Sequence, residues 1–193
     1  GRAARSPGRG WRPALPDGVL FRLDASMLRT RVAWRDIATD LEVALLPARV
    51  APLGTERPPV ALNTVYFIPL DDEIEAGALV ALVSSLPCRV FARAIAERAK
   101  DARFRFFAWT VASIPMVTAP ADARLELARL ARHAGDQAQS GTTDPALRDA
   151  IDDIACRPYG LTRAQVASLR AFDAWLAGTS AAATITATLA ASS

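Results

Sequence analysis

The amino-acid sequence predicts an α+β fold, in which a small N-terminal β-sheet with packed helices is followed by an all-α helical unit. Short segments rich in β-branched and aromatic residues, separated by Pro, Gly and Asp, fill the first third of the chain. Helical periodicity begins after Asp72, and an alanine-rich region with regular capping residues follows Pro120. Of the 193 residues, 51% are hydrophobic, which is enough for one domain with a substantial core.

The sheet is predicted from four strand-like segments, at residues 19–23, 31–34, 42–46 and 60–68. A first helix should follow, because Asp72 and Glu75 have the spacing of a capping box. Pro87 suits the first turn of a second helix. We expect that second helix to carry a basic stripe, formed by Arg89, Arg93 and Lys100.

Three helices are predicted after Pro120. The first should end at Gly135, and Asp144 should cap the second. Thr162 and Gln165 have the capping-box spacing for the third. The predicted organisation therefore has four parts: a flexible arm or linker remnant (1–16), an α+β domain (17–118), a helical subdomain (119–178) and a disordered tail (179–193).

Composition excludes several classes of protein. No window has the roughly 18 unbroken apolar residues of a membrane span, and no apolar run follows the basic N-terminal residues as in a signal peptide, so we expect a cytoplasmic location without membrane contact. Cys88 and Cys156 each stand alone, and His133 is the only histidine. We therefore expect neither a disulfide framework nor a metal site.

Positive charge is unevenly distributed along the chain. Residues 1–60 hold ten Arg against six acidic residues, and residues 87–109 hold five Arg and one Lys against two. Residues 110–193, by contrast, hold seven Arg against eight acidic residues. The N-terminal strands and one central segment are therefore the candidates for a surface that faces phosphate.

Four short patterns occur in one order: "LNTVYFI" (62–68), "LVALVSSL" (79–86), "RFFAWTVASIPM" (105–116) and "IDDIACRPYGLT" (151–162). In this order they resemble the C-terminal target-recognition region of N6-adenine DNA methyltransferases from restriction-modification and phage-defence systems. The segment "RVAWRDIA" (31–38) is similar to the strand that opens that region. The resemblance implies double-stranded DNA as a partner, together with a methyltransferase catalytic domain of the same polypeptide.

The catalytic chemistry of such an enzyme is missing from this sequence. Holding a flipped adenine requires Asn or Asp before Pro-Pro and an aromatic residue after it. Here Pro58 and Pro59 stand between Arg57, which accepts no hydrogen bond, and Val60, which has no ring to stack. We expect no catalytic residues and no cofactor in this chain. S-adenosylmethionine would belong to the parent protein, which is either a methyltransferase alone or one fused to a nuclease.

Other enzyme chemistry is also poorly supported. His133 lies on an alanine-rich helix without a nearby nucleophile. The acidic cluster at residues 71–75 is explained by a helix cap and a solvated turn. Glu97 and Lys100 have the spacing of one end of a nuclease motif but lack a partner Asp on an upstream strand.

The DNA hypothesis assigns two groups of residues. The candidates for reading base edges are Arg31, Arg35 and Asn63, since Arg can bond guanine and Asn adenine through two hydrogen bonds. The candidates for holding phosphate are Arg89, Arg93, Lys100, Arg103 and Arg105. We expect Trp34, Phe106, Phe107 and Trp109 to pack in the core. The alternative hypothesis is a protein-interaction scaffold that does not bind DNA, which the acidic C-terminal third favours.

Overall fold

A computed structural model describes residues 25–51 and 54–191, with side chains through residue 178, and these residues form an α+β fold as predicted. The predicted strand at 19–23 and the predicted arm at 1–16 lie outside the described residues.

The first sheet has three antiparallel strands. Its central strand, β1 (Thr30–Arg35), lies between β3 (Val43–Leu46) and β4 (Val65–Leu70). Trp34 is opposite Val43 on one side and Tyr66 on the other. The strands predicted at 31–34 and 42–46 are confirmed. The strand predicted at 60–68 begins later, because residues 63–64 form a turn in which the Val65 N–H donates to the Leu62 carbonyl at 3.0 Å.

A second sheet, which the sequence did not predict, follows directly from the first. After Asp36 the chain enters β2 (Ile37–Ala38), which pairs with β6 (Phe104–Arg105), and β6 pairs in turn with β5 (Glu97–Arg98). All three strands are antiparallel and two residues long. Strands of this length are too short to show the alternation on which strand prediction depends.

Two consecutive helices cover the sheets. The first, α1 (Glu73–Ser84), is capped by the Asp72 carboxylate, which accepts from the N–H groups of Ile74 and Glu75, as the capping-box spacing predicted. The second, α2 (Leu86–Ile95), ends five residues before Lys100. Lys100 therefore lies outside α2, and the prediction that it belongs to a basic stripe on this helix is wrong.

The remaining helices are α3 (Ala108–Ala112), α4 (Ala121–Gln139), α5 (Pro145–Cys156) and α6 (Arg163–Ala191). Asp144 caps α5, and Thr162 bonds with Gln165 at the start of α6, as predicted. The helix α4 continues past Gly135 to Gln139 and is followed by Gly141 at a φ of +70°. The helix α6 continues past Gly178, where the sequence predicted a disordered tail.

The helical region and the sheets share one core through α1. The helix α1 packs against β1 and β3 through Ala76 and Val80, and against α4 and α5 through Ala81 and Leu82. At the closest approach, a Cβ on Gly77 would lie 3.1 Å from Ala128. The boundary predicted near residue 119 thus falls within a continuous packed region.

Candidate nucleic-acid interface

The candidate site begins at the hairpin that joins β5 and β6. In its turn the Arg103 N–H donates to the Lys100 carbonyl at 3.3 Å, and the two central residues, Asp101 and Ala102, have φ angles of +58° and +56°. Positive φ at both central positions is the backbone of the tight turn that favours Asn-Gly. Alanine is strained in this conformation, because its Cβ approaches the carbonyl oxygen.

Two cations at the base of this turn are available to a ligand. Lys100 and Arg103 are both exposed, and neither makes an ion pair within the described part of the chain. The neighbouring Arg98 instead places its guanidinium over the buried ring of Phe104, 4.3 Å from the centroid. Exposed cations without an ion-pair partner are the kind of group that holds phosphate.

An arginine and two aromatic rings form a stack that continues from β6 into α3. The Arg105 guanidinium lies 4.3 Å from the centroid of the Phe107 ring, and the rings of Phe107 and Trp109 lie 6.4 Å apart with 24° between their planes. Asp36 accepts a hydrogen bond from Arg105 at 2.9 Å, and this bond raises the pKa of Arg105. Trp109 closes the stack at the surface with 50% of its area exposed.

Backbone hydrogen bonds hold this stack beside the turn that precedes β4. The Asp36 N–H donates to the Thr64 carbonyl at 2.9 Å, and the Phe106 N–H donates to the Asp36 carbonyl at 2.6 Å. Asn63, in the same turn as Thr64, is exposed, and so is Arg35 at the end of β1. Arg35 contacts Glu42 at 3.3 Å, and both side chains remain largely in solvent. Such an exposed ion pair is worth little and exchanges readily for another partner.

We call these residues together the basic-aromatic surface: Arg35, Asn63, Lys100, Arg103, Arg105, Phe107 and Trp109. Five of the eight residues predicted to contact DNA are among them, four exposed and Arg105 partly exposed. Two placements differ from expectation, since Lys100 lies on the hairpin instead of a helix and Asn63 in the turn before β4 instead of a strand.

Arg31 was predicted to read a base, and the structure contradicts this. Its exposed fraction is 0%, and its guanidinium donates to the Pro59 carbonyl at 2.9 Å and to the Pro47 carbonyl at 3.3 Å. Burial lowers the pKa of Arg31, although a guanidinium in a protein remains protonated. Arg31 therefore fastens the segment between β3 and β4 to the outer face of the sheet and is closed to DNA.

Arg89 and Arg93 were predicted to hold phosphate, and both are buried instead. Arg89 donates to the two Asp152 oxygens at 2.8 and 3.0 Å and lies 3.3 Å from Asp173. Arg93 pairs with Asp173 and lies 3.6 Å from Asp40. These two arginines join α2 to α5 and α6. The sequence placed the carboxylates far from α2 along the chain, so the pairing was not foreseeable from local pattern.

The aromatic residues divide into two groups. Trp34 and Phe106 are buried as predicted, and the Trp34 ring N–H donates to the Phe106 carbonyl at 2.9 Å. The prediction of core packing is wrong for Trp109, which is half exposed, while Phe107 is partly buried beneath it. The signal in the sequence was the placement of both rings directly after a cluster of cations.

The acidic cluster at residues 71–75 is accounted for by structural contacts. Asp72 caps α1, Asp71 pairs with Arg29 at 2.6 Å, and Glu75 pairs with Arg124 at 2.8 Å. Among the described residues, no group of three or more His, Cys, Asp or Glu side chains has a geometry that could hold a metal ion.

Comparison with protein-family models, with characterised proteins and with solved structures found no match to this chain. Within the described residues, no single helix is long and apolar enough to cross a membrane. The helices α1 and α2 together reach the necessary length and composition, but they are bent by 60° at their junction.

Proposed function

We propose that this chain is a DNA-binding target-recognition domain of a site-specific N6-adenine DNA methyltransferase of the restriction-modification or phage-defence type. It positions and reads duplex DNA for a catalytic domain that the chain does not contain. The observation that carries the proposal is the basic-aromatic surface, where exposed cations and an amide surround an exposed aromatic stack. The resemblance of the four ordered sequence patterns between residues 62 and 162 supports the same function.

Phosphate contact is proposed for Lys100, Arg103 and Arg105. Lys100 and Arg103 lack ion-pair partners among the described side chains, and Arg105 is partly exposed while Asp36 and the Phe107 ring hold its guanidinium in place. Charged groups that contact phosphate fix the register of a protein on the duplex without reading sequence. Arg89 and Arg93 are not proposed for this role, because both guanidinium groups are buried and already paired with carboxylates, Arg89 with Asp152 and Arg93 with Asp173.

Base reading is proposed for Arg35 and Asn63. Both side chains are exposed, and the hydrogen bond from Asp36 to Thr64 holds their backbones close together. An arginine and an amide can distinguish guanine and adenine by paired hydrogen bonds in the major groove. Arg31 is not proposed to read a base, because its side chain is fully buried.

The parent protein in this proposal is an S-adenosylmethionine-dependent enzyme that acts in the cytoplasm. The donor-binding and adenine-binding motifs belong to its catalytic domain, and this chain supplies the affinity and sequence choice that bring DNA to that domain. No cofactor is proposed for the chain itself.

The test is titration of a labelled duplex with this chain at a series of salt concentrations. Each phosphate contact contributes a slope of about −0.9 to the dependence of log affinity on log salt, so three contacts predict about −2 to −3. A shallow slope, or no binding even at low salt, would overturn the proposal.

Base reading has its own test, made on the sequence that the chain selects from a randomised duplex pool. Replacing Arg35 or Asn63 by Ala should cost about 1 to 3 kcal/mol on that sequence and little on a scrambled one. An equal loss on both duplexes would show that these residues position the DNA without reading it.

A protein-interaction scaffold is the second candidate, and one observation favours it. On α6 the rings of Phe172 and Trp175 are both exposed and stack 5.5 Å apart with 13° between their planes. Exposed aromatic pairs of this kind are common at protein interfaces. A chain that fails to bind duplex at low salt would support this function in place of the first.

A further inference from the structure

Trp109 is the outermost member of the stack that starts at Arg105. One side of its ring faces Phe107, and half of its surface is open to solvent. The stack is fixed from below, because Asp36 holds Arg105 by a hydrogen bond of 2.9 Å and Arg105 lies against Phe107. The chain therefore presents a pre-positioned indole ring to solvent.

Two exposed cations, Lys100 and Arg103, precede this ring along the chain. Arg103 is two residues before Arg105 in the hairpin, a distance of roughly 7 Å along an extended strand. Lys100 lies across the turn from Arg103, and its side chain forms no ion pair with any described residue. An exposed aromatic face together with spaced cations in one segment of the chain matches a nucleobase with its adjoining phosphates, since every base has a flat face and every linkage carries a negative charge.

We propose that Trp109 stacks on an unpaired DNA base while Lys100 and Arg103 hold the adjoining phosphates. The inference rests on the proposed DNA-binding function and adds that the bound DNA presents a base outside its helical stack. A fully paired duplex covers the faces of its bases, so only a displaced or single-stranded base offers a face to the indole.

The chain contains a matched control for this proposal. Trp175 is exposed to 58%, close to the value for Trp109, and it also stacks on a phenylalanine. Its surroundings differ in charge, because Asp173 lies between Phe172 and Trp175 in sequence and occupies the nearby Arg89 and Arg93. A DNA base with its flanking phosphates should therefore bind at Trp109 and not at Trp175.

The experiment measures dissociation constants by fluorescence anisotropy for three labelled DNAs. These are a paired duplex, the same duplex with one unpaired base, and a single strand of the same sequence. The variants are Trp109→Ala, Trp109→Phe and Trp175→Ala, each checked for folding by circular dichroism and thermal unfolding.

Trp109→Ala should weaken binding of the two DNAs with unpaired bases by about 5- to 100-fold, and binding of the paired duplex by about twofold or less. Trp109→Phe keeps a flat ring and should retain most of the affinity. Trp175→Ala should change none of the three dissociation constants. DNA with an unpaired base should also quench tryptophan fluorescence in the wild type and less so in Trp109→Phe.

Two outcomes would overturn the inference. One is an equal effect of Trp109→Ala on all three DNAs, and the other is an equal effect of Trp109→Ala and Trp175→Ala. If the paired duplex binds with a steep salt dependence and the unpaired base adds nothing, the inference fails and the proposed function remains. If none of the three DNAs binds, both fail.

Discussion

At the scale of single residues, burial separates cations that hold the fold from cations that face solvent. Arg31 and Arg35 are on the same strand with the spacing that places them on one face. The segment between β3 and β4 covers Arg31, whose guanidinium it binds through the Pro47 and Pro59 carbonyls, and leaves Arg35 exposed. No pattern in the sequence distinguishes the two residues.

Arg31 should therefore contribute to the stability of the fold. Arg31→Ala removes the donor that the Pro47 and Pro59 carbonyls share and leaves a cavity in place of a fully buried side chain, so it should lower the free energy of unfolding by about 2 to 4 kcal/mol. Arg35→Ala should change that free energy by less than about 0.5 kcal/mol. Chemical denaturation of both variants measures this, and equal losses would contradict the assignment of Arg31.

The strained hairpin turn gives a second residue-scale prediction. Ala102 has a φ of +56°, a conformation that glycine adopts without a steric penalty. Ala102→Gly should therefore raise the free energy of unfolding by about 0.5 to 1 kcal/mol. The control is Ala99→Gly, in the same hairpin but outside the turn's two left-handed positions, which should be neutral or destabilising. A loss of stability in Ala102→Gly would show that the turn has a different backbone.

At the scale of secondary-structure elements, a buried ionic cluster fastens α2 to α5 and α6. Asp152 is central to it, because its carboxylate accepts from Arg89 and also from the Leu86 N–H at the start of α2, at 2.7 Å. The adjacent Asp153 is exposed, and among the described side chains its ion pair is with Arg170 at 3.4 Å.

Neighbouring aspartates should therefore differ greatly in their effect on folding. Asp152→Ala leaves a buried guanidinium short of a carboxylate and should cost about 3 to 5 kcal/mol in the free energy of unfolding. Asp153→Ala should cost less than about 0.5 kcal/mol. Thermal and denaturant unfolding of the two variants provides the measurement, and similar stabilities would mean that the cluster does not hold the helices.

The end of α5 should make the protein sensitive to alkaline pH. Burial raises the pKa of Cys156 from 9.0 to about 11. Below pH 9 the thiol is protonated in both the folded and unfolded states, and above it only the unfolded state ionises. The free energy of unfolding should thus fall between about pH 9 and pH 11. Cys156→Ala should show a smaller fall over this range, and an identical fall in both proteins would contradict the contribution of Cys156.

Prediction from sequence succeeded for elements whose signal is local. The caps at Asp72, Asp144 and Thr162 are each set by a side chain within three residues of the helix start, so spacing alone located them. It failed for the second sheet, whose strands of two residues are formed by pairing between distant segments. The length of α2 was missed for the same reason, because β5 begins where the periodic pattern still allowed helix.

At the scale of the whole molecule, the uneven charge along the sequence is only a partial guide to the charged surface. The central segment holds both the buried pair Arg89 and Arg93 and the exposed pair Lys100 and Arg103. Arg89 and Arg93 are shielded from solvent by α5 and α6. The carboxylates of these helices lie more than sixty residues away from the two arginines along the chain. Composition thus predicted a basic segment, whereas tertiary packing selects the residues that can meet phosphate.

The most direct test of the central claim compares the salt dependence of duplex binding in two doubly substituted proteins with equal charge. Lys100→Ala with Arg103→Ala removes two cations from the basic-aromatic surface. Arg129→Ala with Arg132→Ala removes two exposed cations from α4. Loss of Lys100 and Arg103 should flatten the slope of log affinity against log salt by about 1.8, because two phosphate contacts are lost, and loss of Arg129 and Arg132 should leave the slope unchanged. Equal slopes in the two proteins, or a change confined to the α4 variant, would contradict the proposed DNA-binding surface.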